Sequence, residues 1–367
     1  MIIDGQIVLD VAVDGVSLPL EIIGCPYIQI DTSRELGLPV LTMNIVDPQF
    51  ILRSLTPLQD GTLIAVSIGV SEGSKNVYEF RTTSVHERNG MFTISGYLNA
   101  PRFVGSTLKK AMRGTSAEVI RQLCKMCGLD CDVVDTNDSQ LWFPNNERII
   151  NFVRRIVAHA QVDSDSIMRA YISAEGVLYM RDLNKIQDVA ATFGYRNGIP
   201  LSECTPFSTG SKNIFGGYSK KFVIQSPTGN KIISSMTLSK MASSFNAHPR
   251  MAAFLEDSIT DFSPIVHPAN IHTNFLQARY RNARGNSLMS TVGVSIAYPA
   301  RTTVRGLQFV ELDLTTESSL TQIEAEQRIN NGNWWVLNKS LYVENAKYFE
   351  RLELRRNGYE VNNEQRL

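Results

Sequence analysis

The chain has 367 residues, with 36 Lys plus Arg against 36 Asp plus Glu and 43% hydrophobic residues, so its formal net charge is zero. That balance excludes the basic excess of a dedicated duplex-DNA binder and the high charge density of a disordered tail. The length suits two or three domains with a core large enough to need neither metal nor disulfides. The zero nevertheless sums unlike parts: residues 1–100 hold 5 basic and 11 acidic side chains, and residues 201–300 hold 9 and 4.

The start, Met1-Ile2-Ile3-Asp4, lacks the basic residues and apolar run of a secretory signal. The charge-free run 262–278 contains Pro264 and Pro268 and does not read as a membrane span. Synthesis in the cytosol is the expectation. From there to residue 100, runs rich in Val, Ile, Thr, Tyr and Phe at 7–13, 27–31, 40–46, 63–70, 77–85 and 91–98 predict six short strands. Asn89-Gly90 between the last two is the strongest hairpin signal. Six strands with no helix among them predict a small barrel or sandwich.

Residues 115–128 change period. Thr115-Ser116-Ala117-Glu118 is a capping box, and Gly128 suits the left-handed residue that ends a helix. Cys124 and Cys127 fall on the apolar side of this helix with Val119, Ile120, Leu123 and Met126, and are read as small core residues. With Cys131 they make three thiols, one short of a zinc set, and no second CxxC completes it. The odd total of five, with Cys25 and Cys204, is no disulfide framework.

Residues 145–160 carry Ile149, Phe152, Val153, Ile156, Val157 and Ala160 at helical spacing. Runs 168–172 and 177–181 around Ala174-Glu175-Gly176 predict a second hairpin. Beyond residue 215 the strand pattern returns, at 218–225, 231–238, 291–297, 308–314, 334–343 and 349–355, with Pro227-Thr228-Gly229-Asn230 as a turn. One helix near 272–283 sets Phe275, Ala278 and Tyr280 beside Arg279, Arg281 and Arg284. The expected fold class is mainly β with an α+β insert, divided at 1–105, 106–210 and 211–367.

Groups that carry chemistry are sparse. No phosphate-binding loop, dinucleotide fingerprint, nucleophile elbow or zinc-protease helix is present. Phe215-Gly216-Gly217-Tyr218-Ser219-Lys220 lacks the frame of a phosphate loop and reads as a strand-entry turn. His86, His159, His248, His267 and His272 are scattered, and Asp163-Ser164-Asp165-Ser166 has the composition of a loop. Arg154-Arg155, Arg279-Arg281-Arg284 and Arg355-Arg356 read as solvated faces or subunit contacts. Of Trp334-Trp335, strand alternation puts one outward and one in the core. No catalytic, cofactor-binding or metal residue is assigned.

The order of segments carries more. A strand domain is followed by a capped helix ending in Cys127-Gly128-Leu129. Leu141-Trp142-Phe143-Pro144-Asn145-Asn146-Glu147 then leads into Phe152-Val153-Arg154-Arg155-Ile156-Val157, and a hairpin closes on Val177-Leu178-Tyr179-Met180-Arg181-Asp182. With Asn333-Trp334-Trp335-Val336 and Tyr348-Phe349-Glu350-Arg351-Leu352-Glu353-Leu354 as closing strands, residues 1 to about 358 resemble the central hub of phage tail baseplates. The relatives are the late control protein D family and the hub portion of valine-glycine-repeat spike proteins of type VI secretion. The spike proteins continue into a repeat-rich β-helix that does not follow here, so a separate spike protein is expected to dock. No lysozyme-like insertion is present either.

The resemblance implies a virion structural protein of the tail, assembled in the host cytoplasm. It implies two tube-like β-barrel domains per chain and a homotrimer whose pseudo-six-fold ring joins a hexameric tail tube to a trimeric spike. It implies no enzyme activity, no cofactor, no specific nucleic-acid binding and no membrane span. Acidic side chains from residues 1–100 are expected in the lumen, where they repel DNA phosphate. The competing readings are a tail-tip cell-wall hydrolase, which needs a carboxylate pair or a metal set, and a carbohydrate- or receptor-binding β protein. Trp334-Trp335 is the one aromatic candidate for the latter.

Overall fold

The computed structural model describes residues 7–32, 36–55, 58–69, 75–186, 188–195, 197–208, 278–279, 281–283, 285–286, 292–299, 302–314, 330–344 and 347–356, Arg53 and Ser208 by their backbone alone. Three further strands, 221–225, 231–235 and 262–266, are likewise described by backbone only. The Phe215–Lys220 turn, the Pro227–Asn230 turn and His248, His267 and His272 lie outside the described residues.

The first strand group is β1 (Val8–Val13), β2 (Val16–Ser17), β3 (Gly24–Asp31), β4 (Val40–Val46), β5 (Leu63–Gly69), β6 (Asn76–Arg88) and β7 (Met91–Leu98), with a short helix α1 (Ile51–Leu55) after β4. Each long strand alternates buried and exposed positions, and Ile28, Ile30, Leu41, Met43, Ile45, Ile64, Val66, Phe80 and Ile94 point into one core. At the β6–β7 turn Asn89 and Gly90 both have positive φ (52° and 76°), the mirror-image turn whose twist matches the strands it joins. Gly90 has a second reason to be glycine: a Cβ there would stand 2.9 Å from the Asp47 carbonyl oxygen.

Next come α2 (Pro101–Gly105), β8 (Met112–Gly114), α3 (Ser116–Cys127), β9 (Asp130–Val133), β10 (Gln140–Trp142), α4 (Ile149–His159), β11 (Met168–Ile172) and β12 (Val177–Asp182). The capping box at Thr115 and Glu118 is formed, and Gly128 is left-handed at φ 74°. Cys124 and Cys127 are buried as expected, with burial raising the Cys127 thiol to about 11, so both are unreactive packing groups. Met126, placed on the same apolar side by spacing, is instead 48% exposed. Helix α4 begins four residues later than the spacing suggests, because Asn145 and Asn146 take left-handed φ (49° and 58°) that no helix accommodates. β11 and β12 form the predicted hairpin, and β9 adds to it in parallel.

The last group is β13 (Val189–Gly194), β14 (Ile199–Pro200), β15 (Glu203–Ser208), β16 (Lys221–Gln225), β17 (Lys231–Ser235), β18 (Phe262–Val266), β19 (Val292–Tyr298), β20 (Phe309–Asp313), β21 (Gly332–Glu344) and β22 (Lys347–Arg356). β16, β17 and β18 make a small sheet of their own. The expected boundary at residue 210 falls after β13 and β15, which hydrogen-bond to β20 and β19 of this group. Phe193, Val294, Ile296, Tyr298, Val310, Leu312, Trp334 and Leu352 share a second hydrophobic core.

Both groups belong to a single curled half-barrel sheet of 14 strands, so the fold is mainly β with a few helices. The joint is β21, whose last five residues pair antiparallel with β3 from Ser340↔Asp31 to Glu344↔Tyr27. Trp334 and Trp335 show what this joint does. Alternation predicts one wet indole, yet both are buried, at 0% and 8% exposure. Trp334 lies in the second core and donates from Nε1 to the Asn330 carbonyl at 2.8 Å, while Trp335 lies in the first core against Phe309. The rule assumed one solvated face, and here β21 has a core on each side.

Candidate functional site

On β7, β4, β3 and the Ser340–Glu344 end of β21, the side turned away from Ile28, Leu41 and Ile94 is largely polar. Register fixes its rows: Ser95, Thr42, Gln29 and Tyr342 are successive cross-strand partners on β7, β4, β3 and β21. A second row runs Tyr97, Val40, Asp31, Ser340 and Arg351, and a third Thr93, Asn44, Tyr27, Glu344 and Lys347. The face therefore crosses from the first strand group to the second without a break. Gln29 binds it together at the joint: its amide donates to Asp31 Oδ2 at 2.5 Å and to the Tyr342 hydroxyl at 3.3 Å, and it accepts from Tyr27. Tyr342 stacks on Phe349, and the Arg351 guanidinium lies over its ring while pairing with Glu203 at 3.2 Å.

Hydroxyls and amides dominate this surface, and its charges are mixed. Of the acidic residues in the first hundred, Asp10, Asp31 and Glu79 share its side by register, next to Arg81 and Arg88. Asp47 is fully buried and accepts from the Ile51 and Leu52 amides at 3.0 and 2.8 Å, and Asp14 sits in a turn accepting from Leu63. A strongly acidic wall is thus not what the described residues build.

Most of the described arginines marked in the sequence serve internal bonds. Arg154 donates from Nε to the Leu36 carbonyl at 2.8 Å, tying α4 to the first strand group, and Arg155 binds Glu147. Arg281 departs from the reading of its cluster as a solvated or subunit-facing group, while Arg279 is exposed and Arg284 lies outside the described residues. Arg281 is 4% exposed and donates to the carbonyls of Ser166 (2.7 Å), Asp163 (3.1 Å) and Ser164, and to Gln161 Oε1 (3.3 Å). Asn282 beside it donates to the Ala158 and Ala160 carbonyls at 3.2 and 2.9 Å and accepts from the Met168 amide at 2.8 Å. These two side chains hold the helical positions 278–279, 281–283 and 285–286 on the α4–β11 loop, where Asp163 and Ser166 cap one another as the loop composition predicts. Arg355 and Arg356 are buried as well, over Phe207 and Trp334.

A further buried group escaped sequence reading. Glu350, 1% exposed, accepts from the hydroxyls of Tyr298 and Tyr348 (both 2.7 Å) and Thr302 (2.8 Å), from the Thr302 amide (3.2 Å), and pairs with Lys339 at 3.0 Å. Lys339 Nζ also donates to the Thr302 and Val304 carbonyls, each at 3.1 Å. The residues come from β19, β21, β22 and the 302–304 segment, and no local motif announces such a convergence.

His86 is exposed and His159 is buried. Burial pushes the His159 imidazole down to about 3, aided by Arg279 and Arg155 nearby, while its Nδ1 lies 2.6 Å from the Arg155 carbonyl. The folded chain holds this ring neutral and the unfolded chain protonates it below about 6.5. Stability from this group is therefore complete above that pH and falls as pH drops toward 3, by about 2 kcal/mol at pH 5. Urea midpoints at pH 7.5 and pH 5.0 should separate more for the natural chain than for His159→Gln; equal separations would contradict the assignment.

Among the described residues no group of His, Cys, Asp and Glu is placed to hold a metal, and no helix is long and apolar enough to cross a membrane. No protein-family model matches the chain, and no curated protein does. Solved structures do. A tail protein from Neisseria meningitidis MC58 is 10% identical with a TM-score of 0.61, covering 96% of this chain and 97% of that one. The 43 kDa tail protein of prophage MuSo2 from Shewanella oneidensis is 12% identical with a TM-score of 0.59, over 95% and 98%. A prophage tail protein from Listeria monocytogenes EGD-e is 11% identical with a TM-score of 0.54, over 95% and 94%. Over about 95% of its length the chain shares the fold of these tail proteins.

Proposed function

We propose that the chain is the structural hub of a phage tail baseplate. Three copies close a ring that joins the tail tube to a separate central spike. The observation that carries this reading is the single sheet shared by two strand groups, with one polar face running across both. Each copy then supplies two wall segments, and three copies supply six, matching a hexameric tube on one side and a trimeric spike on the other. In this proposal the units are a tube-like β-barrel in 1–105, a helix-hairpin domain after it, and a second β-barrel whose sheet recruits β13 and β15. A lining rich in hydroxyls and amides, with few unpaired charges, gives passing DNA phosphate nothing to bind.

The proposal assigns no catalytic role, places the protein in the virion tail, and sets its assembly in the host cytoplasm. The receptor-binding alternative loses its aromatic candidate, since both Trp334 and Trp335 are buried. Light scattering on the purified chain at micromolar concentration should give three times the 41.0 kDa chain mass, and electron microscopy should show rings. A clean monomer that forms no ring with a tube protein would overturn the reading.

A further inference from the structure

A cavity of about 650 Å³ opens where the three parts of the chain meet, between Thr32 of the first strand group, the β11–β12 hairpin, and the 302–306 segment with Lys339. Its volume is within the range of ligand sites. Tyr171 and Tyr179 stack on one wall with centroids 5.2 Å apart, and Arg305 lies over the outer face of Tyr179 at 5.4 Å. No aromatic face of Tyr179 is left open for a sugar ring.

Two features of the lining stand unused. Glu175 and Arg305 both line the cavity, and neither has an ion-pair partner among the described residues. Burial pushes the Tyr171 and Tyr179 phenols up, and on each of them Glu175 adds to that shift and Arg305 subtracts from it, so the two charges face the same pair of rings. Both line the cavity, and no ion pair joins them. The second feature is main-chain. The 302–305 segment belongs to no helix or strand, and the amides of Thr303 and Val304 and the Thr303 carbonyl have no hydrogen-bond partner among the described residues. Thr303 is exposed, within reach of a partner. A cavity wall with unpaired main-chain donors and acceptors fits another main chain better than a saccharide or a free anion.

We propose that this cavity captures an extended polypeptide segment of a partner protein. The segment's backbone pairs with the Thr303 amide and carbonyl, a basic side chain meets Glu175, and an acidic side chain two residues away meets Arg305. Residues two apart share one face of an extended chain, so one segment presents both. The inference stands on the cavity alone and survives if the ring reading fails.

The probe is an array of immobilised pentapeptides of pattern Xaa-Lys-Xaa-Glu-Xaa, with Xaa drawn from Thr, Ser and Val, beside a matched array with Gln in both charged places. The full chain should be retained on the charged array at least about tenfold more strongly, the worth of one charge-assisted hydrogen bond. That preference should vanish in E175Q/R305Q, and E175R/R305E should prefer an array with Lys and Glu exchanged. Both side chains are exposed and line the cavity, and circular dichroism melts check that the variants fold. Equal retention on charged and Gln arrays, retention unchanged by E175Q/R305Q, or displacement of the peptides by N-acetylglucosamine oligomers would each overturn the proposal.

Discussion

Glu350→Ala is expected to lower the unfolding free energy by about 3–5 kcal/mol, the cost of stripping one partner from a buried ion pair. The carboxylate is 1% exposed and answers five donors, among them the Lys339 ammonium at 3.0 Å. Its removal strands that ammonium beside two carbonyls and leaves the Tyr298 and Tyr348 hydroxyls without their acceptor. Each of these groups has already given up water. Glu350→Gln keeps the shape and one acceptor oxygen and should cost less, and Tyr298→Phe, which removes both the donor and its need, about 1 kcal/mol. Urea unfolding of the three variants reads the order. A Glu350→Ala loss below that of Tyr298→Phe would mean the carboxylate is not the centre of the cluster.

Arg281→Ala should cost about 3 kcal/mol, because one buried guanidinium satisfies three main-chain carbonyls and the Gln161 amide oxygen of the α4–β11 loop. Arg281→Lys should recover only part of this, since an ammonium lacks the planar fork that reaches Ser164 and Ser166 together. The damage should be local first. Hydrogen exchange is the measurement: amides near Met168, bonded to Asn282, should lose protection while the β4–β7 ladder keeps it. Uniform loss across both would show that the docked helix is not a separable unit.

The strands of the first hundred residues were legible because each has one wet face. Val40–Val46 and Met91–Leu98 match their expected bounds, and the Asn89-Gly90 turn and the Thr115 box are local chemistry that needs no tertiary partner. β13 and β15 were missed for the opposite reason. Val189-Ala190-Ala191-Thr192 has too little side chain to alternate visibly, and Pro206 in β15 argued against a strand that the fold tolerates opposite β19. Arg281 and Glu350 show the limit for the polar groups: both look like surface charges in sequence, and only the meeting of distant segments supplies the acceptors and donors that bury them. The polar face was invisible as a site, since Ser95, Thr42, Gln29 and Tyr342 become neighbours only through register.

The position of β21 between two cores has a mechanical consequence. Swinging one strand group against the other would break the five-residue ladder to β3 and draw Trp334 or Trp335 out of its core. Each chain therefore behaves as a stiff link with no internal hinge at that joint. Under the proposed ring, any rearrangement would fall at contacts between copies rather than at this joint.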